Sequence, residues 1–429
     1  MNHTSFKIAA TALAVASALS SAAYAGGFQL TEQSALALGR AYAGVGVDGT
    51  DISGMYYNAA TMTLHPGTQV QLGAVGVGLN LEYVGKNGEK NNGRAPEEVI
   101  PHGFISHQIN DTTWVGLAIT IPYGLSTNYG DNWDGKAHGT DAEITVINFN
   151  PNFAWKATDT LSFGAGLALQ YVDATFGVGY GPYHMEYTAT NFTWGFNLGV
   201  MWAPVDNLRF GLSYRSETKH DTNGDLTVSG TGIADGTHDA SVSVSGPAWA
   251  MATAAWDVND YLSLYATFRW ADWSSFDSLT TSSDSLDKLN AANNAGQLSE
   301  QYKPMLGVLN AMSSIKNGWK DTYLYSVGYD LRVNDFWTLR GGIAYETSPI
   351  DDKHNRTAII PDADRWWFAI GSSFHWTKDF QTDVGFAHLH GVHERSLYSQ
   401  DPQTDAWEEE GRYRHLDAYL LGVQMQYRF

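Results

Sequence analysis

Three histidines near the carboxy-terminal end have the spacing that comes closest to a chemical site. His388, His390 and His393 lie close together in the sequence. If this stretch is a strand, His388 and His390 share a face, because alternate side chains of a strand point the same way. Imidazole nitrogens so placed can bind a transition metal. They equally suit a polar rim or lumen, so we assign no metal site and leave metal binding by this cluster open.

Two enzyme motifs can be set aside. Gly44, Gly46 and Gly49 match the nucleotide-binding pattern G-x-G-x-x-G, but that pattern binds phosphates between a strand and a helix of a βαβ unit. No such unit precedes these glycines. The chain has no G-x-S-x-G motif, although a serine–histidine–acid triad carried on separate strands would leave no motif. We therefore predict a protein that is not an enzyme and uses no cofactor, with a lipid hydrolase as the alternative from another class.

The composition indicates a membrane protein that is not helical. The chain has 25 basic and 45 acidic residues and a net charge of −20, which argues against nucleic acid as a partner. Mean hydropathy is −0.26, yet 15 Trp and 23 Tyr are present. Absence of cysteine excludes a disulfide framework. This balance suits a β-barrel in lipid, since only alternate residues face the membrane and aromatic side chains line its two interfaces.

Both ends of the chain indicate export to an outer membrane. Residues 1–25 carry a basic Lys7, a short apolar run and the sequence Ala23-Tyr24-Ala25, which predicts a signal peptide. Residues 419–429 alternate apolar or aromatic side chains with mostly polar ones, as a membrane-spanning strand does. The last strand of a soluble sandwich is the alternative. We expect Phe429 to be the signal read by the barrel-assembly machinery.

Six short polar turns recur between alternating apolar runs and set the strand count. They lie at Asn110-Asp111, Thr158-Asp159, Asp206-Asn207, Asn259-Asp260, Asn334-Asp335 and Lys378-Asp379. Each joins two strand-like runs, as Asn- and Asp-rich hairpin turns do. A first strand near 68–84 and the closing strand bring the total to 14. The predicted fold is an all-β transmembrane barrel of about 14 antiparallel strands over residues 68–429, with long loops opposite the short turns.

Two segments lack the strand pattern. Residues 26–67 are rich in small side chains, and a barrel of this width is not filled by its own wall, so we expect a mainly helical hatch that plugs the lumen. Residues 277–317 contain Leu286, Leu289 and Leu309 at partly helical spacing. They predict a helical extracellular loop that either collects apolar molecules or packs as a lid on its own barrel.

The sequence Ile121-Pro122-Tyr123-Gly124 interrupts the predicted third strand. Pro122 has no N–H for the strand ladder, and Gly124 weakens pairing, so we expect a bulge or kink here. A kink would open a gap in the wall. The alternative is that the strand simply ends at Pro122.

Short motifs in a fixed order are spread along nearly all of residues 26–429. They are Gly27-Phe28-Gln29-Leu30, Gly39-Arg40-Ala41-Tyr42, Asn58-Ala59-Ala60, Gly211-Leu212-Ser213-Tyr214-Arg215-Ser216, Asp330 to Arg340, Ile360-Pro361-Asp362-Ala363-Asp364-Arg365 and Val384-Gly385-Phe386. In these motifs the chain resembles the FadL/TodX family of outer-membrane transporters for long-chain fatty acids and hydrophobic aromatics. The resemblance implies capture by loops, an internal apolar pocket, rearrangement of the hatch and lateral exit into the membrane. The kink at Pro122 and Gly124 would supply the gap for that exit.

The resemblance also implies parts for individual residues of the hatch. Phe28, Asn58, Ala59 and Ala60 fall within it. The family pattern at the turn is Asn-Pro-Ala, and this chain has alanine in place of proline, which removes a fixed φ. Asn58 is the expected polar pivot, with an ordinary helix cap or turn as the alternative.

A fatty-acid carboxylate would require a cation beside the pocket. Family members place a lysine just before the strand that begins here near Trp319, and Lys316 and Lys320 match that zone. Arg365, from the last part of its motif, completes the candidate ligand-binding residues. Family members also use an arginine late in strand five, where residues 169–174 have none. That absence favours a neutral ligand, and both lysines could equally be solvated loop charges.

We therefore predict a monomeric, passive channel in the outer membrane of a Gram-negative bacterium. Its cargo would be hydrophobic small molecules, with long-chain fatty acids as the first expectation and neutral hydrocarbons or aromatics as the alternative. The expected partners are this cargo, outer-membrane lipids and the barrel-assembly machinery. A general porin or an adhesin is the alternative from another class, and the predicted hatch argues against an open pore.

Overall fold

A computed structural model describes residues 26–92, 98–276, 278–400 and 406–429. The predicted signal peptide, residues 1–25, lies outside these ranges. The strands, numbered in chain order, are β1 Thr68–Gly85, β2 Lys90–Asn91, β3 Glu98–Asn110, β4 Thr113–Asn128, β5 Asp141–Lys156, β6 Leu161–Tyr180, β7 Tyr183–Val205, β8 Leu208–Arg215, β9 Thr218–Ser229, β10 Gly236–Gly246, β11 Trp249–Asp257, β12 Leu262–Ala271, β13 Ser278–Ser283, β14 Ser314–Lys316, β15 Thr322–Arg332, β16 Trp337–Glu346, β17 Arg365–His375, β18 Phe380–Gly391, β19 Ser396–Gln400 and β20 Trp407–Arg428.

These strands form one closed antiparallel sheet, because β1 pairs with β3 on one side and with β20 on the other. Several wall strands are made of two consecutive pieces. β8 and β9 both pair with β7. On their other side, β8 pairs with β11 and β9 pairs with β10. β13 and β14 likewise extend β12 and β15, while β2 and β19 add only short edges. Counted as whole wall strands, the described chain forms the predicted 14-stranded barrel.

All six predicted short turns join neighbouring wall strands, and they gather at one end of the barrel. We call this the inner end and the opposite one, with the long connections, the outer end. In outer-membrane barrels the short turns face the periplasm. The long connection after β13 is helical, as the leucine spacing predicted. The helices are α1 Ala35–Leu38, α2 Gly54–Tyr57, α3 Asp284–Asn294 and α4 Lys303–Met312, with 3-10 turns at Ala59–Leu64, Lys136–His138, Trp273–Ser275, Glu300–Tyr302 and Lys353–Asn355.

The outside of the wall is apolar, as the alternation of the last strand predicted. Tyr419, Leu421, Val423, Met425 and Tyr427 are each about half exposed, and the side chains between them point inward. A strand in lipid satisfies its backbone through both neighbours, so only its outward row must be apolar. No helix within the described ranges is long and apolar enough to cross a membrane.

Residues 26–67, the N-terminal segment, lie inside the barrel. Every side chain from Gly26 to Asp48 is buried. α1 contacts β17, β18 and β20, whereas the 3-10 turn after α2 contacts strands β4 to β7 on the other side. Glycines make room for α1, since a Cβ at Gly385 would overlap the Ala35 carbonyl and one at Gly371 would lie 2.8 Å from the Gly39 Cα.

A buried ionic network holds the N-terminal segment to the inner half of the wall. Arg40 contacts Asp48 at 2.5 Å and Asp330 at 3.1 Å, and its guanidinium lies over the ring of Tyr265. Arg340 links Asp330 to a further buried aspartate on β18. Buried ion pairs are favourable only when each charge has its partner, so these contacts fix how the segment sits against β15 and β16.

Candidate functional site

A continuous cluster of buried apolar side chains, which we call the apolar chamber, fills one side of the outer half of the lumen. Its wall is formed by inward-facing residues at alternate positions of β4 to β10, and α4 covers it from the outer end. The lining includes Leu125, Ile144, Val146, Val172, Ala174, Phe176, Tyr187, Leu226, Val242, Met305 and Leu309, all buried in one continuous cluster. Inward rows of a water-filled pore are polar, so this lining suits an apolar ligand instead.

An aromatic cluster lies where the N-terminal segment meets the chamber. The Phe28 ring contacts Trp273 at 4.8 Å and Phe276 at 5.5 Å between centroids, both edge to face. Tyr123 and Trp319 lie at 5.9 and 6.3 Å. Edge-to-face pairs of this kind add to the stability from burial alone. Phe28 therefore anchors the start of the N-terminal segment among aromatic residues of the wall and the loops.

Arg215, at the end of β8, is a buried cation without a carboxylate partner among the described residues. Its side chain is 1% exposed, and its guanidinium donates to the Tyr56 carbonyl at 2.8 Å and to Asn150 Oδ1 at 3.0 Å. The other nitrogens, Nε and Nη1, have no hydrogen-bond partner among the described residues. A buried charge left in this state is costly, so the site is suited to bind an anion.

Arg215 also sits at a boundary of polarity. Its guanidinium lies 4.5 Å from the Tyr56 ring centroid and 5.7 Å from that of Trp249, and both rings belong to the apolar cluster of the chamber. On its other side, Asn150 Nδ2 donates a hydrogen bond to Asn197 Oδ1 at 2.8 Å. A ligand with an apolar tail and one carboxylate matches this arrangement.

Of the five other buried arginines in the described chain, four are ion-paired, and the fifth, Arg356, donates to the Asp362 carbonyl at 2.9 Å. Arg40 and Arg340 belong to the inner ionic network. Arg269 contacts Glu346 at 2.7 Å, and Arg365 contacts Asp362 at 3.1 Å and Glu346 at 3.5 Å. A bound carboxylate would have to compete with these partners.

The structure separates the three cations that the sequence singled out. Arg365 is buried in the ion pairs just described. Lys316 and Lys320 are exposed near the outer end, and Lys320 pairs with Asp351 at 3.3 Å. The sequence analysis did not identify Arg215 as a candidate ligand-binding residue. The alternation of β8 could have indicated it, because Leu212 and Tyr214 face lipid and Arg215 must then face the lumen.

The Asn58 turn shows how the chain holds this bend without proline. Asn58 Oδ1 accepts a hydrogen bond from the Ala60 N–H at 3.0 Å, and Nδ2 donates to the Val200 carbonyl at 3.0 Å. The first bond caps a 3-10 turn and the second ties it to β7. Ala59 and Ala60 pack on Gly164, where a Cβ would overlap their backbone. Small residues and a side-chain cap thus replace the fixed φ of proline.

The kink sequence lies in β4, beside an unpaired stretch of the wall. The β4–β5 ladder changes register between Thr120 and Tyr123, which is the signature of a bulge. The β3–β4 ladder stops at Gly103 opposite Ile119, while residues 98–102 pair only with β1 among the described strands. The outer parts of β3 and β4 therefore leave a gap between them.

The N-terminal segment covers this gap from the lumen. Leu30 N–H donates to the Pro122 carbonyl at 2.8 Å, and Gly124 N–H donates to the Phe28 carbonyl at 3.0 Å. The Gln33 amide exchanges two more hydrogen bonds with the backbone of Ile121. Backbone groups that β3 leaves unpaired are thus satisfied by residues 28–33, and movement of that stretch would uncover the gap.

Helices α3 and α4 form an apolar groove at the outer end. A space of about 20 Å³ lies between them and the tips of β7, β9 and β10. It is lined by Met185, Leu226, Val228, Ala234, His238, Ser283, Ser285, Leu286, Leu289 and Leu309. Leu309 also lines the chamber, so the groove and the chamber are contiguous.

Glu32 makes the stability of the folded protein dependent on pH. It is fully buried and neither carboxylate oxygen has a hydrogen-bond partner in the described chain. Burial raises its pKa to about 7, while nearby Arg269 and Arg365 oppose that rise. The charged form is disfavoured in the folded state, so stability falls as pH increases from the ordinary pKa toward 7 and is level above it.

We expect Glu32→Gln to raise the thermal midpoint relative to wild type above pH 7 and to change it little near pH 4. The limiting difference corresponds to roughly 3 kcal/mol. Thermal unfolding of both proteins between pH 4 and pH 9 measures it, with the exposed Glu217→Gln as control. A difference that does not vary with pH would contradict the assignment.

Comparisons with known proteins agree with this architecture. The profile of the family described as "Outer membrane protein transport protein (OMPP1/FadL/TodX)" matches residues 16–429. Long-chain fatty acid transport proteins of Salmonella typhi and of Escherichia coli K12 are each 27% identical, over 98% of both chains. A 47 kDa outer membrane protein of Pasteurella multocida is 26% identical over 98% of this chain and 97% of its own.

Solved structures show the same fold. A Pseudomonas aeruginosa FadL homologue superposes with a TM-score of 0.81 at 22% identity, covering 94% of this chain and 100% of its own. The P. putida toluene transporter TodX gives 0.70 at 16% identity, covering 93% and 99%. The profile match spans almost the whole chain, so the predictions of a barrel, an outer-membrane location and a transport protein rather than an enzyme are confirmed. The chain belongs to the FadL/TodX family of outer-membrane transport proteins.

Proposed function

We propose that the protein is a passive channel for long-chain fatty acids, which binds the carboxylate at Arg215 and the tail in the apolar chamber. The observation that carries this proposal is the buried guanidinium, which has no carboxylate partner in the part of the chain that the structure describes. Names of the relatives in Salmonella and Escherichia point to the same cargo. One charged group beside a long apolar lining is what an ionised fatty acid requires.

The route begins at the groove beside α3 and α4 and leads through the chamber to the gap between β3 and β4. Burial of a tail contributes roughly 0.8 kcal/mol per methylene, so release into water at the inner end is unfavourable. Exit through the wall keeps the tail in an apolar environment. The stretch with Phe28, Leu30 and Gln33 closes the gap and would move first, with Asn58 as its pivot against β7.

Neutral aromatics are the second candidate cargo. The aromatic rings around Phe28 would suit them, and residues 169–174 of β6 contain no arginine, in the stretch where the family resemblance implies one. The P. putida toluene transporter TodX shares the fold. A neutral ring has no need of Arg215, so the two candidates differ in whether that guanidinium contributes to binding.

Mass spectrometry of molecules that co-purify with the barrel in a non-ionic detergent distinguishes them. We expect long-chain fatty acids near one per barrel, displaceable by added oleate. Recovery of no fatty acid, together with saturable binding of toluene, would favour the second candidate. Conductance of an open, unselective pore in planar bilayers would contradict both.

Assembly and oligomeric state stay predictions of the same proposal. Phe429 is 77% exposed, and its N–H donates to the Thr68 carbonyl on the first strand. That placement leaves its ring accessible for recognition by the barrel-assembly machinery. The barrel closes on itself, so a monomer surrounded by outer-membrane lipid is sufficient for transport.

A further inference from the structure

A cluster of histidine and aspartate lies on the outward face of the wall, near its outer end. His388 and His390 are on β18, and Asp417 on β20 is the direct cross-strand neighbour of His390. One potential ligand atom from each of the three residues lies within 4.8 Å of the others. Because both strands are continuous wall strands, the three side chains are held by rigid backbone rather than by a loop.

Neighbouring groups orient the cluster. The His388 ring stacks on Tyr419 with 4.7 Å between centroids and 8° between planes. His390 Nδ1 lies 2.7 Å from Asp417 Oδ1, and His415 Nδ1 lies 3.8 Å from Asp417 Oδ2. His388 Nε2 is buried and has no hydrogen-bond partner in the described chain. That nitrogen is therefore free of hydrogen bonds to the described chain and could bind a metal ion.

The surroundings make these ionisable groups unusual. Leu421 and Phe386 continue the same two outward rows toward the inner end and are exposed as lipid-facing residues are. The cluster thus begins at the outer margin of the apolar belt, where an unpaired carboxylate or a polar nitrogen without a partner is disfavoured. A bound cation would neutralise Asp417 and satisfy His388 Nε2 together.

We propose that His388, His390 and Asp417 form a binding site for a divalent transition metal, with Zn²⁺ or Cu²⁺ as the fitting ions. Two imidazoles and a carboxylate are ligands that these ions prefer, whereas Mg²⁺ and Ca²⁺ prefer oxygen alone. Water would complete the coordination shell. The ion would cross-link the last two wall strands, independently of the cargo.

The structure also corrects the grouping suggested by the sequence. His393 is not part of the cluster, because its Nδ1 lies 3.0 Å from Asp364 Oδ2 instead. Asp417 takes its place, although it is far away in the sequence. His393 thereby supplies a matched control, being a histidine of the same region paired with a different aspartate.

Calorimetric titration of the EDTA-treated full barrel in detergent with Zn²⁺ tests the proposal. We expect one ion per barrel and a dissociation constant in the micromolar range or tighter, with no response to Mg²⁺. Cu²⁺ bound at the same site should give an electron paramagnetic resonance spectrum split by two nitrogens. His393→Gln should retain both signals.

His388→Gln and His390→Gln should each weaken Zn²⁺ binding at least about tenfold, since each removes one of three ligands. Zn²⁺ should also raise the thermal midpoint of wild type and not that of the double variant, which reports on the cross-link without relying on transport. The proposed site would be overturned if the wild-type protein bound no Zn²⁺. It would also be overturned if the variant with both His388→Gln and His390→Gln bound Zn²⁺ as the wild type does. In the first case the His390–Asp417 contact is only an ion pair.

Discussion

Replacing Arg215 with methionine is expected to lower the affinity for a long-chain fatty acid roughly 10- to 100-fold, which is the loss of hydrogen bonds to a charged group worth about 1.5–3 kcal/mol. The affinity for the alcohol of the same chain length should stay close to wild type. Both ligands bury the same tail, so their difference isolates the carboxylate. Displacement of a fluorescent fatty acid from the purified barrel measures both constants.

The controls separate this role from a structural one. Arg215→Lys keeps the charge but loses the planar fork, so binding should fall less than in the methionine variant. Lys320→Met removes an exposed cation that already pairs with Asp351 and should leave binding unchanged. Removal of a buried, incompletely paired charge need not destabilise the barrel, and thermal unfolding would check this. An equal loss for acid and alcohol, or a loss caused by Lys320→Met instead, would contradict the proposed carboxylate site.

The barrel itself was predictable from local patterns. A strand in lipid must alternate, and a hairpin turn must tolerate tight backbone geometry, so each of the 14 strands leaves a signal within about twenty residues of sequence. The turn at Asn110-Asp111 and the outward row that ends in Tyr427 needed no knowledge of neighbours. Leucine spacing likewise predicted a helical loop after β13.

The candidate site was not predictable in the same way, because it depends on contacts between distant residues. Arg215 faces Tyr56, and whether a wall arginine lacks a carboxylate partner depends on all the strands around it. His390 and Asp417 become neighbours only through the register of β18 against β20. The Asn58 turn depends on the space left at Gly164 of another strand. Spacing along the chain contains none of this information.

A disulfide between Gln29→Cys and Tyr123→Cys should stop uptake and should be reversible with reductant. Gln29 and Tyr123 are paired as isolated bridge partners, and the hydrogen bonds from Leu30 to Pro122 and from Gly124 to Phe28 flank them. Such a non-hydrogen-bonded antiparallel pair has Cα atoms about 4.5 Å apart, within the range for a disulfide. The natural chain has no cysteine, so the bridge has no competitor.

The oxidised protein would hold the N-terminal segment against the kinked strand, and the gap between β3 and β4 would stay closed. Uptake of labelled oleate by cells without their own fatty-acid transporter should drop to background and recover on reduction. Equilibrium binding by the purified, oxidised barrel should persist, because Arg215 and the chamber remain in place. The two single-cysteine variants show the effect of each substitution without the bridge. Transport by the oxidised protein at the rate of the reduced one would mean that cargo leaves by another path.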